Sequence, residues 1–391
     1  MIYFFGNDYR SFSFGIVCQY EFVRVLNKNG IPARFFCSEG RDPAFPIPDE
    51  YLAFTTYGSP GKLTLAPDDI AVYPETIPDN PLHAKRVIRW LLNRPYSLTS
   101  EGIKYGSRDQ IFAYSKYVNP DLPQMFYLPD EREMFAEIRK NGKHDRKTVA
   151  MYFGKTHLDV LKDRKEEIAG ILSEYENRQV ITRMSPENRR DALRLIADSD
   201  MLLSFDPFSN MNFEANILGV PVLIFEDAYG IKDREFNIPL RGFAYSVNEL
   251  EEKKTQIEQV FRDYCTGIEN QEKNIVENVR TAIRAFEAME SDPALEEENR
   301  ERNKKIEEDD LLQYQSRWKK TRPFATVLFP YELPFDIIKM FDSRITGKNV
   351  IRHLLFLLKD FLRRSLNMVG LLEPVRRFRK RIKARFRRRG K

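Results

Sequence analysis

The segment at residues 198–226 constrains the fold of this chain most, because it predicts a strand, a loop, a helix and a second strand in succession. Residues 201–205 form a short apolar run, which is typical of a buried parallel strand. A helix is predicted to begin after Asn212, a favourable N-cap, and to end at Gly219. The β-branched, apolar run 220–225 predicts the second strand. This pattern indicates an open α/β sheet, which binds ligands beyond the carboxyl ends of its strands.

Two carboxylates of this segment are placed where such a ligand would bind. Asp206 follows the first predicted strand, and Glu214 falls in the first turn of the predicted helix. Asp206 could instead cap the turn at Pro207, and Glu214 could be present only because an acidic residue is favourable near a helix N-terminus. Both are therefore candidate site residues with a structural alternative.

The N-terminal part of the chain, residues 1–143, is predicted to form one doubly wound α/β domain. It opens with a strand, a helix and a second strand, with Asn29-Gly30 ending the helix. The predicted strands cover residues 2–5, 32–36, 51–55, 69–73, 110–115 and 124–128. The predicted helices cover residues 15–28, 82–92 and 131–139.

A second α/β series begins after the polar segment 141–147, which is predicted to be a linker. Residues 148–290 are predicted to form this second domain, and residues 291–345 a charged helical or irregular extension. The predicted strands of the second domain cover residues 148–153, 179–182, 201–205 and 220–225. Its predicted helices cover residues 157–175, 185–197, 249–261 and 272–289, with Ser185 as N-cap and Pro186 at the first helical position of the second of them.

Cysteine usage and hydropathy predict a cytoplasmic location. The three cysteines, Cys18, Cys37 and Cys265, are scattered, without the spacing of a metal site or a disulfide framework. The N-terminal sequence has no basic region and only a short apolar run, so it does not resemble a signal peptide. No uncharged apolar run approaches the length of about 18 residues that a transmembrane helix needs.

The charge of the chain is divided unevenly between its body and its C-terminal tail. Residues 348–391 contain sixteen Lys and Arg against two acids, Asp360 and Glu373, which is a net charge of +14. Subtracting this from the net +5 of the whole chain leaves −9 for residues 1–347. We therefore expect an anionic partner for the tail only.

The last predicted helix of the tail is amphipathic. Apolar residues recur at helical spacing. Most of the positions between these apolar residues are basic, including Arg377 and Arg381. The apolar stripe is formed by Val375, Phe378, Ile382 and Phe386. This combination favours peripheral docking on an anionic membrane at its inner face. Docking on a partner protein is a second possibility. Nucleic-acid binding is disfavoured, because it leaves the apolar stripe unexplained and because the body is net acidic.

Two motifs carry a resemblance to a known family. Asp206 and Glu214 stand eight positions apart, and the run GVPV follows from residue 219. The run YFGK at residues 152–155 ends the first strand of the second domain with a glycine and a basic residue. In these features the chain resembles nucleotide-sugar-dependent glycosyltransferases of the GT-B fold, in particular the retaining family 4, which has glutamate where this chain has Asp206.

The resemblance implies a fold and a division of roles. The fold would be two Rossmann-like, doubly wound domains that face a cleft, with the second domain binding the donor. Asp206 would lie near the donor sugar, Glu214 would bind the ribose hydroxyls, and Gly154 and Lys155 would face the diphosphate. The family implies retention of configuration, but the shorter acid at 206 leaves both retention and inversion open.

The chemistry of a nucleotide-diphosphate sugar leads to a similar set of residues. Its ribose needs an acceptor for two hydroxyls, which Glu214 provides. Its diphosphate needs N–H donors and positive charge, which the helix start near Asn212 and the side chains of Lys155 and Arg183 would supply. Fixed cations that stabilise the departing diphosphate would be the main catalytic contribution. Neither a metal nor a cofactor is expected, because the one DxD-like run, at 198–200, precedes a strand instead of following one.

In the first domain, four residues are candidates for the acceptor side. Glu75 follows a predicted strand and would be the general base if the reaction inverts, although it could instead be a turn carboxylate paired with a nearby arginine. Asp8 and Arg10 belong to a polar loop after the first strand, and Gly15 precedes the first helix. These three are predicted to bind the acceptor.

The sequence thus predicts a glycosyltransferase that acts on a lipid-linked or envelope-polysaccharide acceptor, such as a lipopolysaccharide, at the cytoplasmic membrane face. Two other classes fit the same features. A sugar-nucleotide epimerase or hydrolase would share the fold but would not need the tail. A non-catalytic adaptor would bind a nucleotide or a protein while the tail anchors it.

Overall fold

The computed structural model describes residues 1–11, 13–38, 40–42, 46–96, 102–153, 165–182, 186, 188–207, 209–225 and 241–315. The chain divides into two compact units. The first comprises Met1–Gly154 and Gly170–Pro323, and it contains both β-sheets. The second comprises Lys155–Ala169 and Phe324–Lys391, of which only residues 165–169 are described. The predicted tail helices therefore lie outside the described residues.

The first sheet has six parallel strands in the order β3-β2-β1-β4-β5-β6. The strands are β1 (Ile2–Gly6), β2 (Ala33–Cys37), β3 (Thr55–Tyr57), β4 (Ile70–Pro74), β5 (Arg86–Leu91) and β6 (Gln110–Ala113). The strand order reverses between β1 and β4, and such a reversal opens a crevice at the carboxyl ends of the two strands. Asp8 and Glu75 follow these two ends.

The second sheet has five parallel strands in the order β11-β10-β9-β7-β8. The strands are β7 (Asp145–Tyr152), β8 (Asn177–Ile181), β9 (Ser199–Ser204), β10 (Val222–Ile224) and β11 (Phe243–Ala244). Here the order reverses between β7 and β9. The predicted α/β class with two doubly wound parallel sheets is confirmed.

Eight α-helices occur among the described residues, together with short 3-10 turns at Pro60–Lys62 and Val247–Glu249. In the first half of the chain they are α1 (Phe14–Lys28), α2 (Asp49–Leu52) and α3 (Arg132–Asn141). In the second half they are α4 (Lys165–Ser173), α5 (Arg189–Ala197), α6 (Asn210–Ile217), α7 (Leu250–Ser291) and α8 (Pro293–Gln313). In the part of the chain that the structure describes, no helix is both long and apolar enough to cross a bilayer.

Three predictions of secondary structure in the first half are wrong. Residues 82–92 contain the strand β5 instead of a helix, and all six residues of β5 are buried. Residues 51–55 contain the end of α2 and the start of β3. The predicted strand at 124–128 is reduced to one parallel bridge between Ala113 and Gln124. The error at β5 arose because Arg86 and Arg89 give the segment an amphipathic appearance, whereas the structure buries both.

Helix α7 is continuous over 42 residues, where the sequence predicted two helices. Its first part packs into the core around the second sheet, through residues such as Ile257 and Ile268. Its second part packs into the core around the first sheet, through residues such as Val279 and Phe286. One helix is therefore built into both hydrophobic cores, and burial of its apolar face on each side stabilises it.

Helix α8 is held to the turn before β6 by side-chain amides. Asn303 Nδ2 donates to the carbonyl oxygens of Gly106 and Asp109, each at 2.9 Å. Farther along α8, the Tyr105 hydroxyl donates to Asp310 Oδ2 at 2.9 Å. Burial raises the pKa of Asp310 to about 7, and the charge of Asp309 adds to this shift.

The raised pKa of Asp310 predicts that stability depends on pH. The folded protein keeps a proton on Asp310 up to about pH 7, whereas the unfolded chain loses it near pH 4. The contribution is therefore fully present below about pH 4 and is lost as the pH rises to about 7. We expect Asp310→Asn to remove this loss. The difference in free energy of unfolding, variant minus wild type, should therefore increase by roughly 3 kcal/mol at most from pH 4.5 to pH 7.5. Urea unfolding at both pH values measures this, and a constant difference between the two proteins would contradict it.

Candidate functional site

The carboxyl ends of β7 and β9 are joined directly at the reversal of strand order. The amide of Phe205 donates to the carbonyl oxygen of Tyr152 at 2.8 Å. Asp206 is the next residue and is buried. Its carbonyl oxygen accepts a hydrogen bond from Asn212 Nδ2 at 2.9 Å, and the carbonyl oxygen of Pro207 accepts one from the same atom at 3.2 Å. The loop that carries Asp206 is therefore fixed from α6.

The start of α6 differs from the prediction. Ser209 is the N-cap, and its Oγ accepts from the amide of Met211 at 3.3 Å. Asn212 lies inside the helix and is fully buried, so the prediction of Asn212 as N-cap is wrong. The helix begins three residues earlier than predicted because the hydroxyl of Ser209 accepts from one of the first free N–H groups, that of Met211.

Glu214 is a buried carboxylate, 4% exposed, whose hydrogen bonds from described residues all end on one oxygen. Its Oε1 accepts from Arg189 Nη2 at 2.7 Å, from Arg189 Nε at 3.2 Å and from Asn210 Nδ2 at 2.5 Å. Asn210 is the first residue of α6 and so lies one turn before Glu214. The carboxylate is thus oriented by its own helix and by α5.

Arg189 is the first residue of α5 and is bound on both sides. Besides Glu214 it binds Glu131 through two parallel bonds, Nη1 to Oε1 at 2.7 Å and Nη2 to Oε2 at 2.6 Å. Glu131 immediately precedes α3, in the stretch of chain that leads from the first sheet to the second. One arginine thus joins two carboxylates whose residues lie 58 and 25 positions away in the sequence.

The charges of this cluster stabilise one another. Burial raises the pKa of Glu214, and the positive charge of Arg189 acts in the opposite direction. Burial alone would lower the pKa of Arg189, but Glu214 and Glu131 together raise it. Arg189 is therefore always charged, and it is the group that favours an ionised carboxylate at Glu214.

At the reversal in the first sheet, Glu75 directly follows β4. It is buried, and its Oε2 accepts from the amide of Leu92 at 2.9 Å. Gly15 lies close to Leu92, because a Cβ on Gly15 would meet Leu92 Cδ1 at 3.9 Å and no other atom of the described residues within 4 Å. The protein's own packing thus leaves room for a side chain at Gly15. Glu75 and Gly15 are therefore both close to Leu92.

Asp8 follows β1 and is saturated with hydrogen bonds. Its Oδ1 accepts from the Tyr57 hydroxyl at 2.8 Å and from the amide of Tyr9. Its Oδ2 accepts from the amide of Asp42 at 2.7 Å and from Arg10 Nη1 at 3.1 Å. Arg10 Nη1 also donates to the carbonyl oxygen of Tyr9 at 2.8 Å. With 1% of its surface exposed, Asp8 organises the loop after β1.

The loop after β1 and helix α1 lie near the carboxylates and the arginine around Glu214, within the first unit of the chain. Burial raises the pKa of Tyr9 to about 12, and the charges of Arg189 and Glu131 act on it in opposite directions. Burial raises the pKa of Cys18, a residue of α1, and the charges of Glu131 and Glu214 raise it further. The loop after β1 and the beginning of α1 are therefore close to the Arg189 cluster, that is, Arg189 with Glu131, Glu214 and Asn210.

Several predicted site residues lie outside the described part of the chain. They are Gly154, Lys155 and Arg183 on the donor side, and Arg377, Phe378, Arg381, Ile382 and Phe386 in the tail. Within the described ranges, no group of three or more His, Cys, Asp or Glu side chains is placed to hold a metal ion.

Sequence reasoning missed Arg189 and Glu131. The helix that contains Arg189 was predicted to begin near residue 185, whereas α5 begins at Arg189 itself, after the N-cap Asn188. A basic residue at the first position of a helix is not favoured by the helix dipole. Such a position is the one local signal that an acidic partner from another element stabilises Arg189.

Neither a protein-family model nor a curated protein matches this chain. Among solved structures, the wall teichoic acid polymerase TagF matches with 15% identity and a TM-score of 0.34, over 73% of this chain and 90% of that one. An alpha-glucosyltransferase (AGT) in complex with UDP matches with 12% identity and a TM-score of 0.39, over 70% of this chain and 94% of that one. The same kind of enzyme with UDP and a 13-mer DNA containing a HMU base matches with 11% identity and a TM-score of 0.39, over 71% and 94%.

Proposed function

We propose that this protein is a glycosyltransferase that binds the ribose of a nucleotide-diphosphate sugar at Glu214. The observation that carries the proposal is the Arg189 cluster, whose Glu214 lies on α6, the helix that follows β9 at the reversal of strand order in the second sheet. Glu214 is buried there, and its hydrogen bonds from Arg189 and Asn210 all end on Oε1. A carboxylate held in this way presents its second oxygen to a ligand, and a ribose offers two hydroxyl donors to it.

The rest of the donor would extend from Glu214 toward the start of α6. The free N–H groups and the dipole at that end suit a diphosphate. We assign Lys155 and Arg183, together with Gly154, to the diphosphate, because each follows a strand of the second sheet in the sequence. Their charge would stabilise the diphosphate as it departs, without a metal ion. Asp206, fixed through Asn212, would lie beside the donor sugar.

The acceptor would bind against the first sheet. Glu75 is buried at the end of β4 and would take the proton of the attacking hydroxyl, the role of a general base in an inverting transfer. Gly15 would leave room for the acceptor beside Leu92, since no atom of the described residues comes closer than 3.9 Å to a Cβ placed on Gly15. Asp8 and Arg10 would shape the loop after β1, where the acceptor is also proposed to bind.

The acceptor itself is proposed to be lipid-linked, as for an envelope polysaccharide. The basis is the tail at residues 348–391, with its net charge of +14 and its apolar stripe. Such a segment would dock on an anionic bilayer with Arg377 and Arg381 at the headgroups and Phe378, Ile382 and Phe386 below them. Docking would bring the cytoplasmic enzyme to its substrate.

The proposal is tested by donor consumption. The full-length chain is incubated with UDP-, CDP-, ADP-, GDP- and dTDP-sugars, with and without anionic vesicles that carry bacterial lipid-linked acceptors, and release of the nucleoside diphosphate is measured. We expect one donor class to be consumed, and faster with acceptor vesicles than with neutral vesicles that lack acceptor. Deletion of residues 370–391 should remove the vesicle effect and leave slow hydrolysis unchanged.

Other outcomes would favour the rival functions. Consumption that is indifferent to vesicles and to the deletion would indicate a sugar-nucleotide hydrolase, and isomerisation without release of diphosphate would indicate an epimerase. Binding of a nucleotide without turnover of any donor would indicate an adaptor. Neither binding nor turnover of any donor would contradict the proposal altogether.

A further inference from the structure

The guanidinium of Arg189 is occupied almost entirely by protein. Of its five N–H groups, one on Nε and one on Nη2 bind Glu214, while Nη1 and the other hydrogen of Nη2 bind Glu131. A side chain engaged in this way has little capacity left for a phosphate. Its geometry suits another role, which is to hold a carboxylate in place.

The second carboxylate explains why Arg189 keeps this position. Glu131 fixes Arg189 through the Nη1 and Nη2 edge of the guanidinium, next to the Nε and Nη2 edge that binds Glu214. Glu131 is itself fixed by its backbone. Its amide donates to the Tyr264 hydroxyl at 2.9 Å, and that hydroxyl donates to the carbonyl oxygen of Pro129 at 2.6 Å. Tyr264 belongs to α7, the helix that is built into both cores.

A continuous series of contacts therefore runs from α7 to the proposed ribose acceptor. It passes from Tyr264 to Glu131, from Glu131 to Arg189, and from Arg189 to Oε1 of Glu214. Each contact is short, and two of the three are charge-assisted. If Arg189 were absent, Glu214 would lose two of its three donors and could turn away from a ribose or become protonated.

We propose that Arg189 and Glu131 set the selectivity of this site for a nucleotide with an intact ribose, by holding the Glu214 carboxylate in the orientation that accepts both hydroxyls. This inference rests on the proposed function. Arg189 and Glu131 are positioning residues here, because they act through Glu214 and do not contact the nucleotide. Their effect should therefore concern the ribose hydroxyls and not the base or the diphosphate.

The test compares two ligands on each protein. The tightest binder among UDP, CDP, ADP and GDP is titrated by calorimetry beside its 2′,3′-dideoxy analogue, on the full-length chain. For wild type we expect the dideoxy analogue to bind about 100-fold more weakly, because two hydrogen bonds to a charged group are lost. For Arg189→Gln and Glu131→Gln we expect this ratio of dissociation constants to fall below about 10-fold. Arg189→Lys should give a ratio between that of wild type and those of the two Gln variants, since lysine keeps the charge but not the two parallel hydrogen bonds.

The ratio is measured within each folded variant, so a general loss of stability does not imitate the effect. If Arg189→Gln does not fold, Glu131→Gln, which keeps the size and shape of the side chain, carries the test. Arg132→Gln is the matched control, because Arg132 is next to Glu131 and pairs with Asp130 at the surface. It should keep the wild-type ratio.

The outcomes separate this inference from the proposed function. If wild type binds a nucleoside diphosphate with a high ratio and the Arg189 and Glu131 variants keep that ratio, the inference is overturned and the proposed function stands. If wild type binds no nucleoside diphosphate, both are overturned. A reduced ratio in the variants with unchanged affinity for the dideoxy analogue supports both.

Discussion

Arg89→Met is expected to lower the free energy of unfolding by about 3–5 kcal/mol. Arg89 is 1% exposed in the centre of β5, and its Nε binds Asp109 Oδ2 at 2.9 Å. Its Nη1 donates to the carbonyl oxygens of Ile77 and Asp79 at 2.8 and 3.2 Å. Methionine fills much of the same volume but leaves a buried carboxylate and two carbonyl oxygens without their donor, which is costly in an apolar interior.

Urea unfolding of the two proteins measures this loss. Arg284→Met serves as the control, because Arg284 forms an ion pair with Glu277 that is exposed on both sides, and such pairs contribute about 0–1 kcal/mol. The double variant Arg89→Met, Asp109→Leu should recover part of the loss, since it removes the unpaired charge. A loss for Arg89→Met as small as that of Arg284→Met would show that the β5 arginine is not the buried, paired group described above.

Glu75→Gln is expected to lower the rate of sugar transfer by about 10²–10⁴-fold and to leave nucleotide affinity unchanged. Glutamine has nearly the same shape and can still accept the hydrogen bond from the amide of Leu92, so the fold around β4 should be preserved. It cannot take a proton from an attacking hydroxyl. Initial rates at saturating donor and acceptor measure the effect, together with the Kd for the nucleoside diphosphate.

The control for Glu75 is Glu133→Gln, an exposed carboxylate on α3 that should leave the rate unchanged. Transfer by Glu75→Gln at the wild-type rate would exclude Glu75 as the general base. A matching loss of nucleotide affinity would instead indicate that Glu75 contributes to binding, and the assignment of the acceptor to the first sheet would be wrong.

The two doubly wound sheets could be predicted because their signals are local. Apolar runs such as 201–205 and the glycine after α6 specify strands and helix ends within a few residues. Gly219 has a φ of +85°, which glycine adopts without strain. Carboxylates that follow directly on strands, Asp206 and Glu75, could be recognised in the same way.

The errors concern residues whose partners are distant in the sequence. Arg86 and Arg89 suggested a solvent-exposed helix face, but Arg86 is paired with Glu290 on α7 and Arg89 with Asp109. The same limit hid the Arg189 cluster, in which the partners lie 58 and 25 residues from the arginine. Burial of a charge depends on its counter-charge, and local periodicity contains no information about a counter-charge from another element.

The most direct test of the central claim is a calorimetric titration of the full-length protein and of Glu214→Gln with nucleoside diphosphates. The claim predicts that wild type binds at least one of UDP, CDP, ADP and GDP, and that Glu214→Gln binds it about 10–100-fold more weakly, since a charged acceptor of hydroxyl hydrogen bonds is lost. Glu258, on α7, is an exposed partner of Arg139, and the control variant Glu258→Gln should bind as wild type does. Equal affinity of wild type and Glu214→Gln for every nucleoside diphosphate would contradict the placement of the donor at Glu214.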